Sequence, residues 1–390
     1  MRRSRTFTDP FEPGSTLKVI ATAAVLEDGL ATGEESIFCE EGKLVLDNGE
    51  VIRDIRPHGW LSFDQVLEKS SNIGVIKLAR LLERRRFYEY IRNFGFGTRS
   101  GIGLPAESAG LLQNASKWSD RSLETIAIGQ EISVTALQLV QAFGAIANGG
   151  MLMAPRILKS TVEPDGQVVE EMQLQPIRRV VSASTAAKLR EILTGVVRNG
   201  TGHRAQLEGI AVAGKTGTAQ RAAANGKGYD PDDNVVSFIG FLPADAPKLL
   251  CLVVIDNPQK DKWGGHIAAP AFRRVMEGIL HLSDGLLAAR LQSDIPGDST
   301  ALSLPDLRGM TSQVARFQAG LRGLSVAFLG KGDVVVRQQP PPGPAGKETF
   351  KISCVLGTMV DGVAAGTTHI PLRQALLLQN LKGNHFAGLR

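Results

Sequence analysis

The chain has 390 residues, 43% of them hydrophobic and 21% charged, so its composition fits a folded protein of two or three domains and excludes a wholly disordered one. The net charge of +5 results from 44 basic and 39 acidic residues, and only 5% of the residues are aromatic. Because nucleic-acid binding favours basic runs interleaved with aromatics, we expect no nucleic-acid partner.

The sequence contains no predicted membrane or export segment. No run of residues approaches the ~20 apolar positions that cross a bilayer. The N-terminal ten residues are basic, but no apolar region follows them, so no signal peptide is predicted. The six histidines show no metal-binding spacing, and we expect neither a metal nor another cofactor.

Hydrophobic periodicity and turn residues divide the first 283 residues into blocks of helix and blocks of strand. The pattern predicts an α+β fold in which an antiparallel sheet is flanked by helices. A helix is predicted from Ser15 to Gly29, and a second from Ser62 to Arg85 that includes Ser70 to Asn72. The later predicted elements are a glycine-rich loop (Phe94–Gly110), a helix (Val134–Asn148), a hairpin turn (Pro164–Gly166), a helix capped by Ser184 and ending at Arg198, three strands (Gly209–Gln220, Val235–Leu242, Lys248–Ile255) and a helix (Phe272–Leu282).

A second, smaller α+β unit is predicted near the C-terminus. Residues 284–303 are small and polar and are typical of a linker, and residues 304–356 have the pattern of a compact unit. Residues 357–390 have no assignment. The elements predicted in the compact unit are a helix (Thr311–Leu321) and three strands (Leu324–Leu329, Asp333–Gln338, Glu348–Val355).

The first chemical pattern is Ser15-Thr16-Leu17-Lys18, at the start of the first predicted helix. A serine and a lysine three residues apart lie on one helix face, about one turn from each other. In a dry pocket Lys18 loses its proton more readily and can accept one from Ser15, which then acts as a nucleophile. A helix cap followed by a solvent-exposed lysine explains the same residues, so this pattern alone leaves both interpretations open.

Ser70 and Asn72 form the second pattern. Within one helical turn, a hydroxyl and an amide can both face a cleft, where one relays a proton and the other binds a substrate carbonyl. Polar decoration of a helix surface explains the pair equally well.

The third pattern, Lys215-Thr216-Gly217-Thr218, follows an apolar run that is typical of a strand. Lys215 and Thr216 on a cleft face can bind a carboxylate, and Gly217 leaves room for a peptide against the strand. The amide of Thr218 can complete an oxyanion hole with that of Ser15. A strand-end turn is the alternative.

The order Ser-x-x-Lys, Ser-x-Asn, Lys-Thr-Gly resembles the motif set of penicillin-binding proteins and class A β-lactamases. The surrounding residues resemble the class B penicillin-binding proteins, which are D,D-transpeptidases of division or sporulation, over about residues 5–283. The segments that carry this resemblance are Phe11–Lys18, Lys69–Gly74, Gly101–Pro105, Gly129-Gln130, Val134-Thr135, Gly264-Gly265 and Ala268–Pro270.

The resemblance implies the penicillin-binding-protein/β-lactamase-like transpeptidase fold and a serine acyl-enzyme. Ser15 is then the nucleophile that attacks the D-Ala-D-Ala end of a peptidoglycan stem peptide, Lys18 is its base, and an amine of a second stem peptide resolves the acyl-enzyme. The implied partners are stem peptides, β-lactams and proteins of cell-wall synthesis and division. A β-lactam mimics the donor peptide and stays attached to the enzyme. The implied catalytic residues are Ser15, Lys18, Ser70, Asn72, Lys215, Thr216, Gly217 and Thr218.

Residues 304–356 resemble a PASTA domain, through Leu304–Gly309, Gly323-Leu324 and Gln338–Gly343. The family resemblance also implies a membrane anchor and a catalytic domain outside the cytoplasm. Because only fourteen residues precede Ser15, we expect the transpeptidase domain, residues 1–283, to be shortened at its N-terminus.

Three alternatives stay open at this point. A D,D-carboxypeptidase differs only in using water as the acceptor. A β-lactamase or penicillin-sensing domain has the same fold, although Glu107 and Asn114 are seven residues apart and lack the close spacing of a class A deacylating loop. An inactive fragment that serves only as a cell-wall-binding scaffold is the third.

Overall fold

The structure is a computed structural model that describes residues 3–46, 48–164, 167–222, 228–259, 261–282, 303–320, 324–344, 351–360 and 363–365. The chain forms two compact units, Met1–Glu277 and Gly278–Arg390. The first therefore ends six residues before the predicted boundary at residue 283.

Helices and short strands alternate along the first unit. Its helices are α1 (Arg5–Thr8), α2 (Lys18–Glu27), α3 (Phe63–Glu68), α4 (Asn72–Ala79), α5 (Arg84–Asn93), α6 (Ser122–Ala127), α7 (Ala136–Ala147), α8 (Ala183–Arg198) and α9 (Gly264–Leu282), which runs past the unit boundary. Its strands are β1 (Ser36–Phe38), β2 (Lys43–Val45), β3 (Val51–Arg53), β4 (Trp60–Ser62), β5 (Met151–Met153), β6 (Ser160–Val162), β7 (Val168–Glu171), β8 (Pro176–Arg179), β9 (Ala213–Ala222), β10 (Tyr229–Leu242) and β11 (Leu249–Asp256).

The three long strands form one antiparallel sheet in the order β11-β10-β9, as the sequence predicts. The remaining pairs, β1 with β4, β2 with β3, β5 with β8 and β6 with β7, are separate two-stranded ribbons. Strand β9 is therefore an edge of the main sheet. The residues Lys215 to Thr218 lie on that edge, paired with Ile239 to Val236 of β10.

Helix α2 is the centre of the core. Its residues from Lys18 to Val25 are all buried, including Val19 and Ile20, which are fully inaccessible to solvent. A helix that is apolar on every side has no solvent face and has to be enclosed by other elements. Each fully buried aliphatic side chain of this kind contributes about 1.5–3 kcal/mol.

The prediction of one helix from Ser62 to Arg85 is wrong. The structure has three shorter helices, α3, α4 and α5, and the first break falls at Ser70. Ser70 adopts a left-handed conformation with φ of 57°, which an α-helix cannot contain. The hydroxyl of Ser71 then accepts a hydrogen bond from the backbone N–H of Gly74 at 2.9 Å, which caps the new helix α4.

Other predicted elements are confirmed with shifted ends. Helix α7 begins two residues late because Thr135 and Gln138 form a capping box. Helix α8 is capped by Ser182 rather than Ser184, since the Ser182 hydroxyl accepts from the backbone N–H of Thr185 at 3.2 Å. Helix α9 begins at Gly264, eight residues before the predicted start. In the predicted hairpin turn, residues 165 and 166 lie outside the described residues, and strands β6 and β7 pair on either side of it.

The second unit contains one described helix and a mixed sheet. Helix α10 (Ser312–Gly320) packs on strands β13 (Ser325–Leu329) and β14 (Val334–Gln339). Strand β16 (Lys351–Val360) lies between β13, to which it is parallel, and β14, to which it is antiparallel. The hydrophobic core of the second unit includes Leu307, Ala315, Val335 and Ile352. The remaining strands are β12 (Ser303–Leu304), β15 (Gly343–Pro344), which pairs with β12, and β17 (Val363–Ala365), which pairs with β16.

The predicted linker, residues 284–303, lies outside the described residues except for Ser303. Strand β16 continues four residues beyond the predicted end of the compact unit at residue 356. Among the helices that the structure describes, none is both long and apolar enough to cross a bilayer.

Candidate active site

Ser15 lies in a tight turn at the start of the buried helix α2. Residues Gly14–Thr16 form one turn of 3-10 helix, and Lys18 is the first residue of α2. The backbone N–H of Gly14 donates to the carbonyl of Gly129 at 3.1 Å. On its other side, a Cβ at Gly14 would lie only 2.5 Å from the main-chain oxygen of Thr218. Glycine therefore lets the serine turn fit between the segment at Gly129 and strand β9.

Lys18 is fully buried, so the interpretation as a solvent-exposed lysine is wrong. Its Nζ donates to the main-chain oxygen of Ser70 at 2.6 Å and lies 3.3 Å from the Ser70 hydroxyl. Burial lowers the pKa of Lys18 from its ordinary value to about 7, against the opposing effect of the Asp54 carboxylate. A substantial fraction of Lys18 is therefore a neutral amine near neutral pH.

Within the described part of the chain, the Ser15 hydroxyl makes no hydrogen bond, and the donors of Lys18 are directed to Ser70. Catalytic hydrogen bonds in unliganded enzymes are often long and shorten when substrate binds.

Ser70 brings the first and third sequence patterns together. Its hydroxyl accepts a hydrogen bond from Lys215 Nζ at 2.9 Å while also contacting Lys18. Lys215 is fully buried, and burial, followed by the charge of Lys18, lowers the pKa of Lys215 well below its ordinary value. Two ammonium groups beside one buried hydroxyl repel each other. The arrangement therefore favours a state in which at most one of the two lysines is protonated.

Asn72 is held by two neighbouring residues, the main chain of Arg53 and the side chain of Asp54. Its Nδ2 donates to the carbonyl of Arg53 at 2.8 Å, and its backbone N–H donates to Asp54 Oδ1. Asp54 Oδ2 accepts from the Ser71 hydroxyl at 2.6 Å. Asn72 is thus the first residue of α4 and does not share a helix with Ser70. The prediction that the two residues lie on one helical turn is wrong, because the left-handed Ser70 interrupts the helix.

The residues Lys215 to Thr218 of strand β9 lie beside the Ser15 turn. Thr216 shares a hydrogen bond of 2.9 Å with the hydroxyl of Thr201, and the Thr218 hydroxyl accepts from the backbone N–H of Gly264 at 3.3 Å. A Cβ at Gly217 would lie 2.3 Å from the Ser237 hydroxyl and 3.0 Å from the Pro13 carbonyl. Atoms of the protein itself therefore require a glycine there, whereas the sequence argument assigned that space to a bound peptide.

Sequence reasoning missed several polar residues around the site. Asp54 caps α4 and is the carboxylate that acts on Lys18. Thr201 lies in a Gly-Thr-Gly segment that was interpreted only as the end of a helix. Glu12 precedes the serine turn and has no signal of its own in a single sequence.

The site therefore consists of the Ser15 turn, the two buried lysines that contact the Ser70 hydroxyl, and the strand β9 with its threonines. Comparison with known proteins identifies the family of the chain. Residues 1–277 match the family described as the penicillin binding protein transpeptidase domain. The chain belongs to this family.

Relatives and solved structures agree with this assignment. The chain is 39% identical over 284 residues to penicillin-binding protein PbpB of Mycolicibacterium smegmatis, covering 70% of this chain and 43% of that protein. It is 35% identical over 353 residues to stage V sporulation protein D of Bacillus subtilis, covering 89% of this chain and 54% of that protein. The chain thus spans about half the length of these relatives.

Among solved structures, penicillin binding protein 3 of Mycobacterium tuberculosis complexed with aztreonam matches with a TM-score of 0.66 at 37% identity, covering 72% of this chain and 64% of that one. The predicted fold class, an α+β penicillin-binding transpeptidase domain with an antiparallel sheet and flanking helices, is confirmed.

Proposed function

We propose that this chain is a serine D,D-transpeptidase that cross-links peptidoglycan stem peptides and is acylated by β-lactams. The observation that carries the proposal is the double contact of the Ser70 hydroxyl with Lys18 and Lys215, both fully buried, beside the Ser15 turn. Membership of the transpeptidase family and the aztreonam complex of a relative support it.

In the acylation step, Ser15 Oγ attacks the carbonyl carbon of the penultimate D-Ala. Neutral Lys18 takes the Ser15 proton, and the negative charge that develops on the carbonyl oxygen is stabilised by backbone N–H groups at Ser15 and Thr218. The C–N bond to the terminal D-Ala then breaks. The leaving amine receives a proton through the Ser70 hydroxyl, which both lysines contact.

In the second step, an amine of another stem peptide attacks the ester carbonyl and the bond to Ser15 Oγ breaks. The amine gives up a proton, and Ser15 regains one through Lys18. Before acylation, the terminal carboxylate of the donor peptide binds at Lys215, Thr216 and Thr218, and it leaves with the terminal D-Ala. Because an opposite charge favours the protonated amine, that carboxylate restores the charge of Lys215 and so keeps Lys18 neutral.

A β-lactamase is disfavoured by the contacts of its two candidate residues. The carboxylate of Glu107 accepts from the backbone N–H and the hydroxyl of Ser100, and Asn114 accepts from the backbone N–H of Ser116 at 3.1 Å. Both side chains therefore stabilise loops, so neither is free to activate water. A D,D-carboxypeptidase has the same acylation step and differs only in its acceptor.

We also propose that the second unit is a PASTA domain and that the transpeptidase unit works outside the cytoplasm in an envelope-anchored protein. The helix α10 and the sheet of β13, β16 and β14 support the first point. Stem peptides as substrate, and partners in cell-wall synthesis or division, follow from the function proposed.

Intact mass spectrometry after incubation with penicillin tests the proposal. We expect a stable adduct on the parent chain and none on Ser15→Ala. Parent protein without an adduct and with the antibiotic unconsumed contradicts the proposal and favours the inactive scaffold, whereas consumption without an adduct favours the β-lactamase. Incubation with a stem pentapeptide and an amine acceptor separates cross-linked product from the hydrolysed tetrapeptide of a carboxypeptidase.

A further inference from the structure

The carboxyl group of Glu12 lies three residues before Ser15 and joins three separate segments. Its Oε1 accepts a hydrogen bond from the backbone N–H of Glu131 at 3.1 Å and another from the Tyr229 hydroxyl at 3.2 Å. Tyr229 begins β10, which pairs with the strand that carries Lys215 to Thr218. Glu12 therefore connects the serine turn both to the segment at residue 131 and to the sheet.

The main chain around Glu12 is fixed by the same neighbours. Phe11 and Val134 exchange backbone hydrogen bonds of 2.9 and 2.8 Å, and Gly14 donates to Gly129. A change at Glu12 is thus transmitted to Ser15 through two residues of well-anchored chain.

The two oxygens of the Glu12 carboxyl differ sharply. Both hydrogen-bond donors are directed to Oε1, while Oε2 is buried and has no partner in the part of the chain that the structure describes. This asymmetry suits a neutral acid, whose carbonyl oxygen accepts while its hydroxyl carries no charge. An ionised carboxylate would leave an unpaired charge on a dry oxygen, which is far more costly.

Among the described residues, the titratable groups that act on Glu12 are Glu131 and Tyr229. Glu131 lies beside it and is paired with Arg121 at 3.3 Å, and Tyr229 is the phenol already described. Burial raises the pKa of Glu12 to about 7, with the charge of Glu131 adding to the rise, while the hydrogen bonds from the Glu131 backbone and from Tyr229 oppose it.

We propose that Glu12 is a positioning residue for the nucleophile, which holds the Ser15 turn in its reactive place when neutral and displaces it when ionised. The inference deepens the proposed function and rests on it. Ionisation draws Oε2 towards water or a donor, and this movement pulls the segment before Ser15 away from Glu131 and Tyr229. Acylation is then slower above neutral pH, although Lys18 is a better base there.

The test is the rate of acylation by a fluorescent penicillin between about pH 5.5 and 9, measured on the parent, Glu12→Gln and Tyr229→Phe. Glutamine keeps the accepting oxygen and cannot ionise. We expect the parent rate to fall above about pH 7, by up to about tenfold per pH unit. The Glu12→Gln rate is expected to rise as Lys18 loses its proton and then to stay level without a fall. Loss of the Tyr229 hydrogen bond raises the pKa of Glu12, so the fall in Tyr229→Phe moves about one pH unit higher.

The control is Glu34→Gln, at an exposed carboxylate away from the site, and its profile has to match the parent. A fall that is unchanged in Glu12→Gln overturns the inference and assigns the titration to Lys215. If Glu12→Gln does not fold, as judged by its thermal unfolding, an unshifted fall in Tyr229→Phe overturns it instead. A parent that takes up no penicillin at any pH overturns the proposed function, and this inference with it.

Discussion

The side-chain nitrogen of Lys215 lies 2.9 Å from the hydroxyl of Ser70, although the two residues are 145 positions apart in the sequence. Lys18, which precedes Ser70 by 52 positions, contacts the same hydroxyl. The three sequence patterns therefore meet at one oxygen atom. Because the charge of Lys18 lowers the pKa of Lys215, a substitution that removes this charge is expected to raise the pKa of Lys215.

Replacing Lys18 tests its assignment as the base. Arginine stays protonated at all accessible pH values, so Lys18→Arg is expected to reduce the acylation rate by about 100-fold or more. In the parent, the neutral base accumulates as the pH rises towards about 7, and the rate is expected to rise up to that pH, above which the ionisation of Glu12 opposes it. Stopped-flow acylation measures both. A Lys18→Arg variant with the parent rate would contradict the assignment.

Asp54 is expected to tune that titration. Because its charge raises the pKa of Lys18, Asp54→Asn shifts the rise in acylation rate to lower pH. Loss of a helix-capping carboxylate also lowers the free energy of unfolding by about 1 kcal/mol, which chemical denaturation measures. The matched control is Asp120→Asn, at a fully exposed side chain, and an equal shift in both variants would argue against a local effect of Asp54.

The hydrogen bond between Thr201 and Thr216 is expected to orient the carboxylate-binding hydroxyl. Thr201→Val keeps the shape of the side chain and removes the bond, so acylation is expected to slow about fivefold, as the loss of about 1 kcal/mol implies. Thr201→Ser, which retains a hydroxyl, serves as the control. In a double-mutant cycle with Thr216→Val, additive effects would show that the two hydroxyls do not act together.

Gly14 and Gly29 form a matched pair for testing the serine turn. Both have positive φ, but a Cβ at Gly14 meets the Thr218 oxygen at 2.5 Å, whereas a Cβ at Gly29 meets nothing within 4 Å. Gly29→Ala is expected to lose about 1–2 kcal/mol of stability through backbone strain and to keep its acylation rate. Gly14→Ala is expected to lose acylation, because the turn has to move off β9. Parallel penicillin labelling and thermal unfolding compare the two, and full labelling of Gly14→Ala would refute the argument.

Patterns that repeat along the chain predict most of the fold. The apolar periodicity of α2 and α7 and the β-rich runs of β9 to β11 locate the helix of the nucleophile and the sheet beside it. These signals are strong because each recurs over eight or more residues. The ends of the elements are less well predicted, since one hydroxyl decides them, as the cap at Ser182 shows.

Features that depend on a single residue or on distant partners are not predictable in this way. The left-handed Ser70 lies within an unbroken helical pattern, and only tertiary contacts impose its φ of 57°. Asp54 belongs to none of the patterns, and Glu12 lies in the segment Phe11–Lys18 without a predicted role. The partners of both residues come from other segments of the chain. The eight site residues were found through a family resemblance, and their roles stay a prediction.

The burial of α2 also has a consequence for how this protein can change under selection by antibiotics. Truncating one of its large aliphatic side chains leaves a cavity that costs about 2–5 kcal/mol, a large part of the stability of an ordinary domain. Substitutions that would reposition the nucleophile by truncating buried side chains of α2 are therefore expected to destabilise the fold. We expect resistance to arise at exposed positions near the site, for instance at Trp263, where a change of shape leaves the core intact. Trp263 is next to Gly264, whose backbone N–H donates to the Thr218 hydroxyl.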